Sequence, residues 1–404
     1  MKNFIARLLL ILGALSVAAC TSSLSGGESP GEPTGVKVVA GDGGATVTWN
    51  MESGIEYWVF SAAASSISTG NWTTLPQARV VRNATSPQII TGLTNDVTYS
   101  FTVNGRSGGG AGGPGSPSIS SIPRLTGLVW ALGTPLGTAT LRGLNFLAVT
   151  FPGLFTTVGD GGSLFVSNDA TSWTSVTSGV TTNLNAVLFG FGRYIAVGAG
   201  GVVITSADAT TWAASTSGTT NDLYSVTTGN GGIVAVGAGG TILRSGDGLS
   251  WATATSGTTN TLYNVNYFNG QYIAVGAQGT MVVSSDSVNW TAAASQTTTD
   301  LRGVAYSAGT NPLYVAVGVG GTMISSPDSI TWTVITPVTT STLNAITVGN
   351  QFAAVGDGGV IVVSTDGANW QIVTSGTTSN LYAVSFGLVG FSVVGADGVN
   401  LSSF

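Results

Sequence analysis

Six times between residues 167 and 370 a serine is followed two residues on by an aspartate, and four residues after that by a tryptophan. The frames are SNDATSW (167–173), SADATTW (206–212), SGDGLSW (245–251), SSDSVNW (284–290), SPDSITW (326–332) and STDGANW (364–370). Repeated carboxylates can act as glycosidase acids and nucleophiles, as calcium ligands, or as acceptors for the backbone N–H groups of their own turn. Asp169, Asp208, Asp247, Asp286, Asp328 and Asp366 are each expected in a connection of two or three residues between strands, where a short side chain reaches its own turn. Their expected role is structural, with calcium binding as the alternative. The tryptophan that follows is expected to pack between neighbouring units.

Other chemistry is sparse. Five further aspartates, Asp160, Asp222, Asp300, Asp357 and Asp397, follow residue 124, and a pair such as Asp160 and Asp357 could serve as glycosidase carboxylates. The chain has no histidine, and after the boundary at Arg124 it has no glutamate, no lysine and only four arginines, Arg142, Arg193, Arg244 and Arg302. Triad-type nucleophilic catalysis and histidine metal sites are thereby removed. Cys20 is the one cysteine in 404 residues, so disulfides and thiolate metal sites are removed as well. The expectation is a protein with no catalytic residues, no metal and no cofactor.

The elements that must carry these residues follow from the period. The frame tryptophans are spaced 39, 39, 39, 42 and 38 residues apart, and a Val-Gly pair recurs with its glycine at 159, 198, 237, 276, 318, 356 and 395. One unit divides into four strands, LYSV (223–226), IVAVG (233–237), TILRS (241–245) and WATAT (251–255). Four strands in about forty residues are the signature of a propeller blade. Each frame tryptophan lies eleven residues before the leucine that opens the next unit, and Trp130 stands in that register before Leu141. A fourth strand with no unit in front of it is therefore expected at 126–132. At the other end Ser403 takes the slot of a frame serine and the sequence reaches Phe404, leaving the last unit without its fourth strand. The N-terminal segment should supply it, closing seven blades without an open edge.

The frames resemble the Asp-box hairpins of propellers such as sialidases, sortilin-type receptors and photosystem assembly factors. That resemblance implies a structural box placed away from the ligand face. Here the frame is one residue shorter than the sialidase form, and glycine follows the aspartate only at Gly248 and Gly367. A ligand site is instead expected at the residue after each blade-opening leucine: Arg142, Asn185, Tyr224, Tyr263, Arg302, Asn344 and Tyr382. That register should ring the mouth of the central channel, with Asp222 and Asp300 beside it. Tyrosine and arginine supply stacking faces and forked donors for a sugar or an acidic peptide.

Upstream, MKNFIARLLLILGALSVAAC (1–20) has two basic residues and an apolar run ending in small residues, which is the layout of a secretory signal. Its ending, Val17-Ala18-Ala19-Cys20, resembles the lipobox of bacterial lipoproteins, implying that Cys20 is lipidated and holds the chain at a membrane surface. Thr21, in place of an aspartate, favours the outer membrane or cell surface by the same resemblance. Residues 21–32 read as a flexible tether. From 33 to 123 short alternating strands, Trp49 and the run Gly92-Leu93-Thr94-Asn95-Asp96-Val97-Thr98-Tyr99 resemble a fibronectin type III domain, a β-sandwich whose leucine and tyrosine form a corner. The fold class expected is all-β, a fibronectin type III sandwich at 33–123 followed by a seven-bladed propeller at 124–404.

Charged residues are only 7% of the chain, and without the leader nine basic residues face seventeen acidic ones, a net charge of −8. Nucleic acid is excluded as a partner on that balance. The function expected is a monomeric, lipid-anchored binding protein with a glycan or protein ligand. A polysaccharide-acting glycosidase and an envelope-complex assembly factor are the alternatives.

Overall fold

Alternation of apolar and polar residues between 36 and 103 becomes two sheets that share one core. The computed structural model describes residues 30–403 apart from 109, 111, 149–152, 309–310 and 388–389; the leader 1–20 with Cys20 and tether residues 21–29 lie outside them. Strands β1 (Lys37–Gly41), β2 (Gly44–Thr48) and β5 (Gln88–Thr91) form one sheet. The other has the order β4 (Arg79–Ala84), β3 (Ile55–Ala62), β6 (Tyr99–Ser107), β7 (Ile119–Ser121). Val47 and Ile90 from the first sheet meet Tyr57, Val59, Phe101 and Val103 from the second. Tyr99 is fully buried, and its hydroxyl accepts the Thr94 N–H at 3.2 Å, pinning the turn that follows buried Leu93. The sequence pattern does not reveal β4 and β7: RVVRNA breaks alternation with adjacent valines, and β7 is a short serine-rich edge.

From residue 130 onward the chain forms seven four-stranded antiparallel sheets. The third runs Leu223–Gly229, Gly232–Gly237, Ile242–Ser245, Ala252–Ala254. Its second strand, GIVAVG, is buried throughout. Two neighbouring sheets cover its two faces, so the run is continuously apolar rather than alternating: Ile233 and Ala235 pack on Ile195 and Val197 of the second sheet, and Val234 and Val236 on Tyr272 and Ala274 of the fourth. The first strand of each sheet touches that of the next, and Leu381–Gly387 of the seventh touches Leu141–Leu147 of the first. Helix is confined, among the described residues, to three-residue 3₁₀ turns.

The seventh sheet takes strands from both ends of the propeller region. Leu381–Gly387, Gly390–Gly395 and Asn400–Ser403 are completed by β8 (Trp130–Leu132), with Leu401 opposite Leu132 and Ser403 opposite Trp130. The strand is shorter than 126–132 because Thr126 to Val129 form the turn before it. Gly127 there has a φ of +94°, and its carbonyl accepts the Trp130 indole N–H at 2.8 Å.

The six aspartate frames share one geometry. In the third sheet Asp247 Oδ1 accepts the Ser245 hydroxyl at 3.1 Å and the N–H groups of Leu249 and Ser250 at 2.8 and 3.0 Å. The Trp251 indole donates to the Gly248 carbonyl at 3.2 Å and packs in the core between the second and third sheets. The connection thus runs over 246–251, longer than the expected two or three residues, because the tryptophan folds back onto the turn instead of opening the fourth strand. Residues after the aspartate are left-handed whether or not they are glycine, from Ala170 at +59° to Gly248 at +74°. Backbone N–H donors hold Asp208, Asp286 and Asp366 well below the usual carboxylate range, and Asp328 at about 2.

Antiparallel order puts these frames at the end of each sheet shared with the turn between first and second strands. The N-terminal sandwich touches that same end: Asn350, between strands Leu343–Val348 and Phe352–Gly356, donates to Asp42 at 2.7 Å. The opposite end carries the turns between second and third strands and the connections into each first strand.

Candidate functional site

Every first strand begins with a fully buried leucine, and the next residue is extra. Leu184 pairs with Gly198 and Ala186 with Val197, so Asn185 has no partner of its own across the pair. The same shift recurs at Arg142, Tyr224, Tyr263, Arg302, Asn344 and Tyr382. Such a β-bulge turns a side chain away from the regular pleat. The glycine of each Val-Gly pair is what admits this entry: a Cβ on Gly237 would lie 2.0 Å from the Asp222 carbonyl oxygen, and one on Gly198 2.0 Å from that of Asn183.

All seven bulge residues line one cavity of about 610 Å³ along the first strands. Below them come small residues, among them Gly143, Ala186, Gly303 and Ala383, which leave the space open. The expected ring is thereby brought together at the end opposite the aspartate frames.

Its polar groups are largely engaged with one another. Arg142 donates Nε and Nη2 to the two carboxylate oxygens of Asp160, at 2.5 and 3.1 Å, which raises its already high pKa. Arg302 lies 4.1 Å over the Tyr263 ring and 3.8 Å from Asp300. Tyr263 in turn sits 5.9 Å from Tyr224, at a tilt of 56°. Burial pushes both tyrosine hydroxyls above their ordinary pKa, so both remain neutral donors at neutral pH. Asn344 donates to Asp357 at 2.8 Å and to the Leu381 carbonyl at 3.0 Å. Asn185 likewise donates to the Leu223 carbonyl at 2.8 Å.

Asp222 and Asp300 do not line the cavity. They stand one side chain behind it: Asp222 Oδ1 accepts the Gly200 N–H at 2.7 Å, and Asp300 Oδ1 the Gln278 N–H at 2.9 Å. Each thus caps a turn of the preceding sheet and presents Oδ2 to a ring tyrosine, Asp222 to Tyr224 at 3.5 Å and Asp300 to Tyr263 at 3.4 Å. Asn183 and Asn380 do the same capping at Gly161 and Gly358. The recurrence of Asn or Asp directly before the leucine is the sequence signal for this role. Among the described residues no group of three or more acidic, cysteine or histidine side chains could hold a metal ion. No helix there is long and apolar enough to cross a membrane.

No family model and no curated protein matches the chain. Solved structures do. A structure described as YCF48 bound to D1 peptide is similar with a TM-score of 0.57 at 19% identity, covering 70% of this chain and 99% of that one. YCF48 from Cyanidioschyzon merolae is similar at 0.55 and 19% identity, covering 68% and 98%. The WD40 propeller domain of Doa1 is similar at 0.55 and 12% identity, covering 69% and 97%. The seven-sheet region therefore has a β-propeller fold. At these identities the likeness concerns fold and leaves function to the site.

Proposed function

We propose that this chain is a secreted, lipid-anchored binding protein, a seven-bladed propeller carried on a fibronectin type III-like stalk, which recognises a protein ligand at the mouth of its channel. The observation that carries the reading is the bulge ring. Seven side chains, three of them tyrosine and two arginine, are turned by the same backbone device into one cavity, on the end away from the stalk. Concave sites with a few convergent polar groups and aromatic faces are the usual form of a binding site. The similar structure solved with a D1 peptide supports a protein ligand over a glycan. Pairing of β8 with the last described strand supports closure of the seven blades. Leu93, Tyr99 and the two-sheet core support the stalk assignment.

The reading is non-catalytic. Of the carboxylate pair that could serve a glycosidase, Asp160 has both oxygens engaged by Arg142, and Asp357 accepts the Asn344 amide on Oδ1 alone, so the reading rests on the engagement of Asp160.

The test is capture of cell-surface proteins by the full chain and by its Tyr224→Ala/Tyr263→Ala variant, run beside a glycan array. A protein retained by the parent and lost by the variant, at equal melting temperature, supports the proposal. A glycan lost in the same way changes the ligand class, and equal capture by both moves the site elsewhere. Membrane fractionation of Cys20→Ala tests the anchor, which predicts release of the chain.

A further inference from the structure

Charge distribution around the mouth narrows the ligand, given the binding role proposed above. Three carboxylates occupy turns between second and third strands, Asp160, Asp357 and Asp397, and two precede first strands, Asp222 and Asp300. All five lie at the ring end of the sheets. Among the described residues only Arg142 and Arg302 oppose them there, so the named groups sum to −3 on a chain that is itself at −6.

The two guanidinium groups differ: Arg142 is hydrogen-bonded at two points by Asp160, whereas Arg302 is only stacked on Tyr263 and near the Asp300 carboxylate, with its Nε unpartnered among the described residues. An acidic ligand at Arg142 would have to break the two-point Arg142–Asp160 pair and leave a carboxylate uncompensated inside a negative rim. A cation meets the reverse situation. Asp222 has no ion-pair partner among the described residues, and its Oδ2 stands 3.5 Å from the hydroxyl of Tyr224. An aromatic face and a carboxylate are the two groups that already hold Arg302 at Tyr263 and Asp300. Tyr224 and Asp222 offer the same two groups, and among the described residues no guanidinium is stacked on Tyr224 or paired with Asp222. A concave site of one sign also concentrates ligands of the other.

We propose that the occupant of the mouth is a cationic protein segment, one bearing lysine or arginine side chains or a free amino terminus. Three matched peptide sets, cationic, neutral and acidic, are titrated against the full chain and against Asp222→Asn/Asp357→Asn. The amide keeps Oδ1, and with it the cap on Gly200 and the acceptor for Asn344, so the melting temperature serves as a control for intact structure. The cationic set should bind best, weaken as salt is raised, and lose about tenfold in affinity in the double variant. Best binding by the acidic or neutral set, lost in Tyr224→Ala/Tyr263→Ala, overturns the cationic assignment and leaves the binding role standing. An affinity for cationic peptides unchanged by Asp222→Asn/Asp357→Asn also overturns the assignment. Absence of binding by all three sets overturns both.

Discussion

Trp130 lies directly opposite Ser403 in an antiparallel pair, so residues 273 positions apart complete one sheet. The indole packs 6.2 Å from the Phe391 ring and joins the core between the sixth and seventh sheets. Ser403, for its part, accepts the Phe391 N–H at 2.8 Å. The two ends thus secure the same aromatic residue from two sides.

Trp130→Ala should cost about 2–3 kcal/mol through loss of buried aromatic surface and expose the edge of Asn400–Ser403 to pairing with other chains. Calorimetry and light scattering on the full chain check this. A melting temperature equal to the parent's would show that β8 contributes nothing to closure.

Stability should depend on acid through the aspartate frames. Their folded carboxylates bind protons less readily than unfolded ones, so the stabilisation is complete above the unfolded value of about 4 and is lost as pH falls through the lower folded values. Melting temperature should be flat from about pH 7 to 5, since no histidine titrates there, and fall steeply below about 4. A parallel acid titration of Asp286→Asn should show a shallower fall, because the amide has no proton to take up.

The Val-Gly glycines should be intolerant for a steric reason. Gly237→Ala places a methyl 2.0 Å from the Asp222 carbonyl oxygen, which costs about 1–3 kcal/mol or more and disturbs the bulge at Tyr224. Gly218→Ala is the contrast: its Cβ meets nothing within 4 Å, but its φ is +78°, so the cost is the left-handed strain of about 1–2 kcal/mol. Denaturant unfolding of the two variants should rank them in that order.

Asn350 joins three segments. It donates to Asp42 of the sandwich and accepts the hydroxyl of buried Thr126, while its neighbour Gln351 donates to the Thr126 carbonyl at 2.6 Å. Asn350→Ala should therefore loosen the sandwich against the propeller with only a modest loss of stability, about 1 kcal/mol. Small-angle scattering should show a larger radius of gyration and proteases should cut faster near Pro123; unchanged values for both would show that the hydrogen bond does not hold the two parts together.

The repeat itself was legible in the sequence, because each unit solves the same local problem with the same residues. In each frame the serine and two backbone N–H groups bond the aspartate and the tryptophan folds back onto a carbonyl of the same turn, all within seven positions, so the spacing marks where the turns recur but not their length. What happens beyond those turns was not legible. The bulge at Asn185 arises from how Leu184 and Ala186 meet a different strand, and nothing in Leu-Asn-Ala states it. Asp222 resembles a free carboxylate until Gly200, on the preceding sheet, is seen to donate to it. Arg142 resembles a free forked donor until the turn between second and third strands brings Asp160 to its two nitrogens. The contact of Asp42 with Asn350 joins segments 308 residues apart that no periodicity relates. Hydrogen bonds within a turn depend on neighbours in the chain and recur with composition. Pairings between sheets depend on which surfaces the successive sheets bring face to face, and only the tertiary structure decides those.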